Sequence, residues 1–309
     1  MSVNVGDDIL AAQYNGLQSR LNTILGSGSG TDGYGQTLSS SQVLVNADVL
    51  ASDMDNLLTD INKASNHQIG SNASIGNIAI GDVVGANASG TDPDNLDQPT
   101  KGFNDYDSAV TTIETNKFLL DAGNSSVEAA LSSTRTTAWN GTISHVFTVT
   151  FADANQRRYF FNSGGEIRFS ANLSGGNDPK GTDWATLLSN MGTIKFNYTQ
   201  TSATGTGTGS NIGNYDLTGT YQTIFTKTGS GVYAENDYNI AARADSENVL
   251  NFRIQFRDDD AGDQASFGPG SGPIDEDVTG RITSSIQQLR ATGSNVQVAT
   301  PSYSNVSNL

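Results

Sequence analysis

Val249-Leu250-Asn251-Phe252-Arg253-Ile254-Gln255-Phe256 alternates apolar and polar side chains from Leu250 to its end. A two-residue period places Leu250, Phe252, Ile254 and Phe256 on one face, which is the pattern of a half-buried strand. The same period returns in Ser144-His145-Val146-Phe147-Thr148-Val149-Thr150-Phe151, in Arg158-Tyr159-Phe160-Phe161, and in 165–173, 193–199, 221–225, 233–242 and 280–286. Short strands separated by turn-like spacers predict an antiparallel β-sandwich, jelly-roll-like, over 139–300. One run breaks the period: Asp183 to Met191 carries Trp184, Leu187, Leu188 and Met191 at helical spacing and predicts a helical insert that caps an open end of the sandwich.

Toward the N-terminus the period lengthens. Residues 8–22 align without a gap on 48–62, at an offset of 40, matching Leu10 with Leu50, Leu17 with Leu57 and Leu21 with Ile61. Leu10, Tyr14, Leu17 and Leu21 form one apolar stripe, and Leu50, Met54, Leu57 and Ile61 form another. Two amphipathic helices are expected, with Asp8 and Asp48 in their first turns. A fainter third copy starts at Asp105, where Asp105-Tyr106-Asp107 resembles Asp53-Met54-Asp55 and Ile113 takes the place of Ile61. The expected class is therefore α+β. A helical-repeat anchor spans 1–69, a linker or arm with room for a third helix 70–138, the sandwich 139–300, and a tail 301–309.

Composition limits what such a chain can do. Its 309 residues carry 32 acidic and 16 basic side chains, a net charge of -16. That sign repels nucleic-acid phosphate and anionic lipid, so neither nucleic acid nor membrane is an expected partner. Absence of cysteine removes disulfides, thiolate nucleophiles and thiolate metal sites. No run approaches the roughly 18 apolar residues of a membrane span, and the first ten residues lack the basic and apolar regions of a secretory signal.

Candidate chemistry is sparse. His67 and His145 are the only histidines, far apart in sequence, which leaves a zinc site or a Ser/His/Asp triad little to build on; a structural, hydrogen-bonded role is expected for His145. Gly28-Ser29-Gly30-Thr31-Asp32-Gly33 satisfies the dinucleotide-binding string, but it follows a helix instead of a strand and reads as a loop. The densest acidic cluster is Asp258-Asp259-Asp260-Ala261-Gly262-Asp263, with Asp275-Glu276-Asp277 beyond it. Its plainer reading is a solvated acidic turn. The sharper one is a calcium site on Asp258, Asp260 and Asp263, since hard cations take oxygen ligands on glycine-turned loops. A third reading, paired carboxylates for glycoside hydrolysis, lacks any other sign of a sugar-cleaving cleft. Tyr159, Phe160, Phe161, Phe169, Phe196, Tyr198 and Phe225 are either sandwich core or a carbohydrate-stacking surface, and alternating strands favour core.

Several stretches together resemble a known group. Gln13-Tyr14-Asn15, the loop Gly33-Tyr34-Gly35-Gln36, Asn66-His67-Gln68, the run from Arg158 to Phe169 and Thr193-Ile194-Lys195-Phe196-Asn197-Tyr198 resemble virion structural proteins of contractile-tailed bacteriophages, marine and cyanobacterial ones in particular. The resemblance covers most of the chain and implies a place in a virion, with no catalytic residue to carry over. It implies a non-enzymatic tail, neck or baseplate appendage without a resident cofactor. Such a protein would form a trimer or ring, bind other virion proteins, and dock through the stripe Leu10, Tyr14, Leu17, Leu21, Leu50, Met54, Leu57 and Ile61. Its sandwich would project for host attachment. The alternative is a carbohydrate-binding adhesin or a depolymerase acting on host surface glycan.

Overall fold

The computed structural model describes residues 10–80, 102–260, 262 and 276–309. The fold is α+β, with helices in the N-terminal part and two antiparallel sheets after them. The chain separates into two units. One comprises Met1–Ser126, Arg158–Gly164 and Arg290–Val298; the other comprises Val127–Arg157, Gly165–Leu289 and Ala299–Leu309.

Three helices build the first unit: α1 (Ala11–Leu25), α2 (Ala51–Ile69) and α3 (Phe103–Thr115). All begin in the same way. The last extended residue donates its N–H to the side chain three positions on: Leu10 to Gln13 Oε1 at 2.8 Å, Leu50 to Asp53 Oδ2 at 2.8 Å and Gly102 to Asp105 Oδ2 at 3.0 Å. This reciprocal cap satisfies a donor that the helix itself leaves unpaired. The third copy of the repeat is thus a helix with the same start as the other two, and 70–138 is more than a linker. Asp48 lies ahead of α2, where Asp53 takes the expected first-turn place; Asp8 lies outside the described residues.

Tyr14, Leu17, Leu21, Met54, Leu57 and Ile61 are all buried, together with Tyr106, Val110 and Ile113 of α3. The stripes expected to dock on a partner are instead the core of the chain's own helices. Three helices of 15, 19 and 13 residues bury little alone, so each apolar face is used against the other two. Of the expected docking set only Leu10 and Leu50, at the helix starts, stay exposed.

A buried carboxylate fixes the loop between α1 and α2. Asp60 accepts from the N–H of Ser39 at 2.9 Å and from the N–H and hydroxyl of Ser40 at 2.8 and 2.7 Å. We expect Asp60→Asn, which turns one acceptor oxygen into a donor facing donors, to cost about 1–3 kcal/mol in urea unfolding. A cost below a few tenths would show that solvent reaches the loop.

The second unit is a sandwich of two six-stranded sheets. The first contains β1 (Ser125–Val127), β2 (Leu131–Arg135), β4 (Glu166–Ser174), β5 (Ile194–Phe196), β6 (Thr201–Ala203) and β11 (Arg281–Ala291), ordered β1-β11-β4-β5-β6 with β2 also on β11. The second runs β12 (Ser302–Ser307), β3 (Gly141–Thr150), β10 (Val249–Asp258), β9 (Asp237–Ser246), β8 (Gln222–Thr228) and β7 (Thr208–Gly209). In its longest register Phe252 lies opposite Phe147, and their rings stack at 5.3 Å. Phe169 and Phe196 of the other sheet each sit 5.2 Å from Phe252, so one aromatic cluster joins the two sheets. His145 also bridges them. It lies on β3 and meets Ser284 of β11 through Nδ1 at 3.1 Å, while its Nε2 meets Asn305 Oδ1 of β12 at 2.8 Å.

Three boundaries differ from the sequence reading. Residues 125–127 and 131–135 already belong to the sheet, and 302–307, read as a tail, form an edge strand on β3. The run Arg158-Tyr159-Phe160-Phe161, read as a strand, is the end of helix α4 (Ala154–Asn162). Asp153 decides this locally: its side chain accepts the Gln156 N–H at 2.8 Å, an N-terminal cap that strand pairing cannot offer. The insert is helix α5 (Pro179–Met191), with Trp184, Leu187, Leu188 and Met191 buried as expected, and it packs on β4 of one sheet and β8 of the other.

Candidate functional site

Besides Asp60 and His145, two places among the described residues gather buried polar chemistry, one in each unit. In the helical unit, Tyr34 of the glycine-rich loop is fully enclosed. Its hydroxyl donates to the Lys117 carbonyl at 2.5 Å and accepts from Gln68 Nε2 at 2.9 Å, and its ring meets His67 edge-on at 5.0 Å. His67 Nε2 lies 3.1 Å from the Ser163 carbonyl. A carbonyl only accepts, so Nε2 carries the hydrogen and Nδ1 is bare; Nδ1 is buried without a partner. Burial holds the His67 pKa at about 4, outweighing the Ser163 carbonyl and the Asp121 charge, which pull it up. A neutral imidazole with one ring nitrogen bonded to backbone is a packing element. Gly33, at φ +100, closes the loop: a Cβ there would stand 2.4 Å from the Ser27 carbonyl oxygen.

Beside these residues, a groove of about 340 Å³ runs between the end of α2, residues 71–75 and α3. Its lining is rich in hydroxyls and amides, including Ser65, Gln68, Ser108 and Thr112; among the described residues its one carboxylate is Asp105, already engaged by the Gly102 N–H. Among the described residues no acid–base pair lines it.

In the sandwich unit the acidic cluster closes on a lysine. Lys180 Nζ lies 3.0 Å from Asp258 Oδ1, 3.0 Å from Asp258 Oδ2 and 3.5 Å from Asp260 Oδ2, and it donates to the Glu276 carbonyl at 2.6 Å. The Lys180 side chain is 1% exposed and that of Asp258 0%. Asp258 and Asp260, expected as calcium ligands, therefore hold a cation that the chain supplies itself, and both are buried, whereas Asp259, Glu276 and Asp277 are exposed as a solvated turn would have them. Asp263 and Asp275 lie outside the described residues. Among the described residues no three His, Cys, Asp or Glu side chains gather at metal-binding distance.

Lys180 was legible in the sequence. Its spacing from Trp184, Leu187 and Met191 puts it on the same helix face as the apolar residues, and a charged residue on a buried face calls for buried partners. Asp178 anchors that helix start: it accepts the Gly181 N–H at 2.6 Å and the Thr279 hydroxyl. The candidate sugar-stacking set dissolves in the same way. Phe160, Phe161, Phe169, Phe196, Tyr198 and Phe225 are buried, and Tyr159 is half-buried on α4.

Comparison of the chain with protein-family models, with curated proteins and with solved structures finds no match.

Proposed function

We propose that the chain is a non-enzymatic structural component of a bacteriophage particle, a tail, neck or baseplate appendage that assembles with copies of itself and with other virion proteins. Its sandwich would serve host attachment or the docking of further fibre proteins. The sequence resemblance suggests the setting. The observation that carries the assembly part is an exposed apolar group at the starts of α1 and α2.

Leu44 and Val45 are 81% and 83% exposed, and Leu10 and Leu50 are exposed as well. Hydrogen bonds bring the segments that carry them near one another. Tyr14 Oη donates to the Asp53 carbonyl at 3.2 Å, setting the two helix starts side by side, and Asn15 exchanges two hydrogen bonds with the Val43 backbone, at 2.9 and 2.8 Å. Aliphatic side chains this exposed on neighbouring segments, Leu44 and Val45 being consecutive, are what a protein interface would cover. The docking residues are then Leu10, Leu44, Val45 and Leu50, with the helical stripe behind them as support. A second copy of this chain is the occupant, as expected of a repeating particle component.

Light scattering tests this. The wild type is expected to run as a trimer or larger ring, and Leu44→Asp with Val45→Asp to run as a monomer of unchanged circular dichroism. A wild type that stays monomeric across the concentration range overturns self-assembly. A variant that keeps the wild-type mass removes this surface from it.

A further inference from the structure

Lys180 and Asp258 meet in surroundings that suit more than an ion pair. Nζ is equidistant from the two carboxylate oxygens, at 3.0 Å, which holds the carboxyl carbon within about 3.5 Å of the nitrogen, the separation that bond formation needs. Both groups sit on fixed elements. Lys180 is the second residue of α5, held by the Asp178 cap, and Asp258 is the last residue of β10. One turn along α5, Trp184 is fully buried with its ring 5.1 Å from Trp139 and 6.2 Å from Phe256, two residues ahead of Asp258. With Lys180 and Asp258 both buried, the pair is out of reach of bulk water. Two opposite charges in such a place are costly, and passing one proton from Nζ to the carboxylate removes both. What remains is a neutral amine against a neutral carboxylic acid.

The geometry points to a self-formed isopeptide bond between Lys180 Nζ and Asp258 Cγ, with Asp260 as the proton carrier. The amine lone pair forms the N–C bond at Cγ. Asp260, 3.5 Å from Nζ, takes the second proton from nitrogen and returns it to the departing hydroxyl. The C–O bond breaks with its electron pair, and one water leaves. An ammonium and a carboxylate become an amide and water, so the step balances without an oxidant or a co-reactant. The Glu276 carbonyl, at 2.6 Å, orients the nitrogen before attack.

The bond would tie residues 78 positions apart in a chain that has no cysteine. A cross-link over so long a loop restricts the unfolded ensemble as a disulfide does. An amide also survives a reducing cytoplasm, where a disulfide does not.

Intact-mass spectrometry of the full-length chain, with a tryptic map, decides the matter. The wild type is expected to be lighter than its sequence by one water, about 18 Da, with a branched peptide joining the segments that hold Lys180 and Asp258. Asp258→Asn is expected to form the same amide by losing ammonia, about 17 Da. Lys180→Arg and Asp260→Ala are expected at their full sequence masses. A wild type at full mass after days at neutral pH, cleaved by trypsin after Lys180, overturns the proposal and leaves a buried salt bridge.

Discussion

Lys180→Met is expected to destabilise the sandwich unit by about 3–5 kcal/mol, the cost of leaving buried carboxylates without their cation. Methionine fills nearly the same volume, so the loss reports charge and hydrogen bonding with little contribution from packing. Asp258 is fully buried and Asp260 nearly so, and neither can turn to water without opening the end of β10. If the amide has formed in the wild type, the loss grows by the cross-link and keeps its sign. Both tryptophans, Trp139 and Trp184, belong to this unit, so urea unfolding followed by their fluorescence reads the sandwich alone. Adding Asp258→Asn and Asp260→Asn to Lys180→Met should return a large part of the loss, because no unpaired charge then remains inside. A single-variant loss below about 1 kcal/mol would mean that water reaches the cluster.

What the sequence disclosed, and what it hid, follows from how far each signal reaches. The two-residue period around Phe252 and the helical stripe through Leu17 are local, and both elements formed where they were read. The third helix was legible from Asp105 and Ile113 because the cap and the stripe repeat together. Arg158 to Phe161 misled because a short aromatic run fits either period; Asp153, just upstream, settles it by capping a helix. Partners separated by many residues were out of reach. Nothing near Asp258 announces that its counter-charge stands 78 residues earlier, and nothing near the stripes says that three helices from one chain would cover one another. The apolar pair Leu44 and Val45 lies in a loop without period, so pattern reading passed over it.

Acidification is expected to unfold the helical unit through His67. Its pKa in the folded chain is about 4, against 6.5 for a free imidazole. Between those values the unfolded chain binds a proton that the folded one refuses, so unfolding takes up protons and stability falls as pH drops. The loss starts near pH 6.5 and, for this group, is complete near pH 4; its full size is about 3 kcal/mol. The cause is visible in the packing. A second proton would go to Nδ1, which is enclosed, lacks an acceptor, and belongs to a ring lying against Tyr34. Burial also lowers the pKa of His145, which belongs to the sandwich unit, so the measurement must separate the units. Amide exchange at α2, followed from pH 7 to pH 4, does so. His67→Gln, whose amide can keep the hydrogen bond to the Ser163 carbonyl, should remove the acid loss of protection at α2 and leave that at β3 unchanged. If α2 in the variant loses protection over the same pH range as the wild type, another group in the helical unit is the acid trigger, and the buried imidazole is only packing.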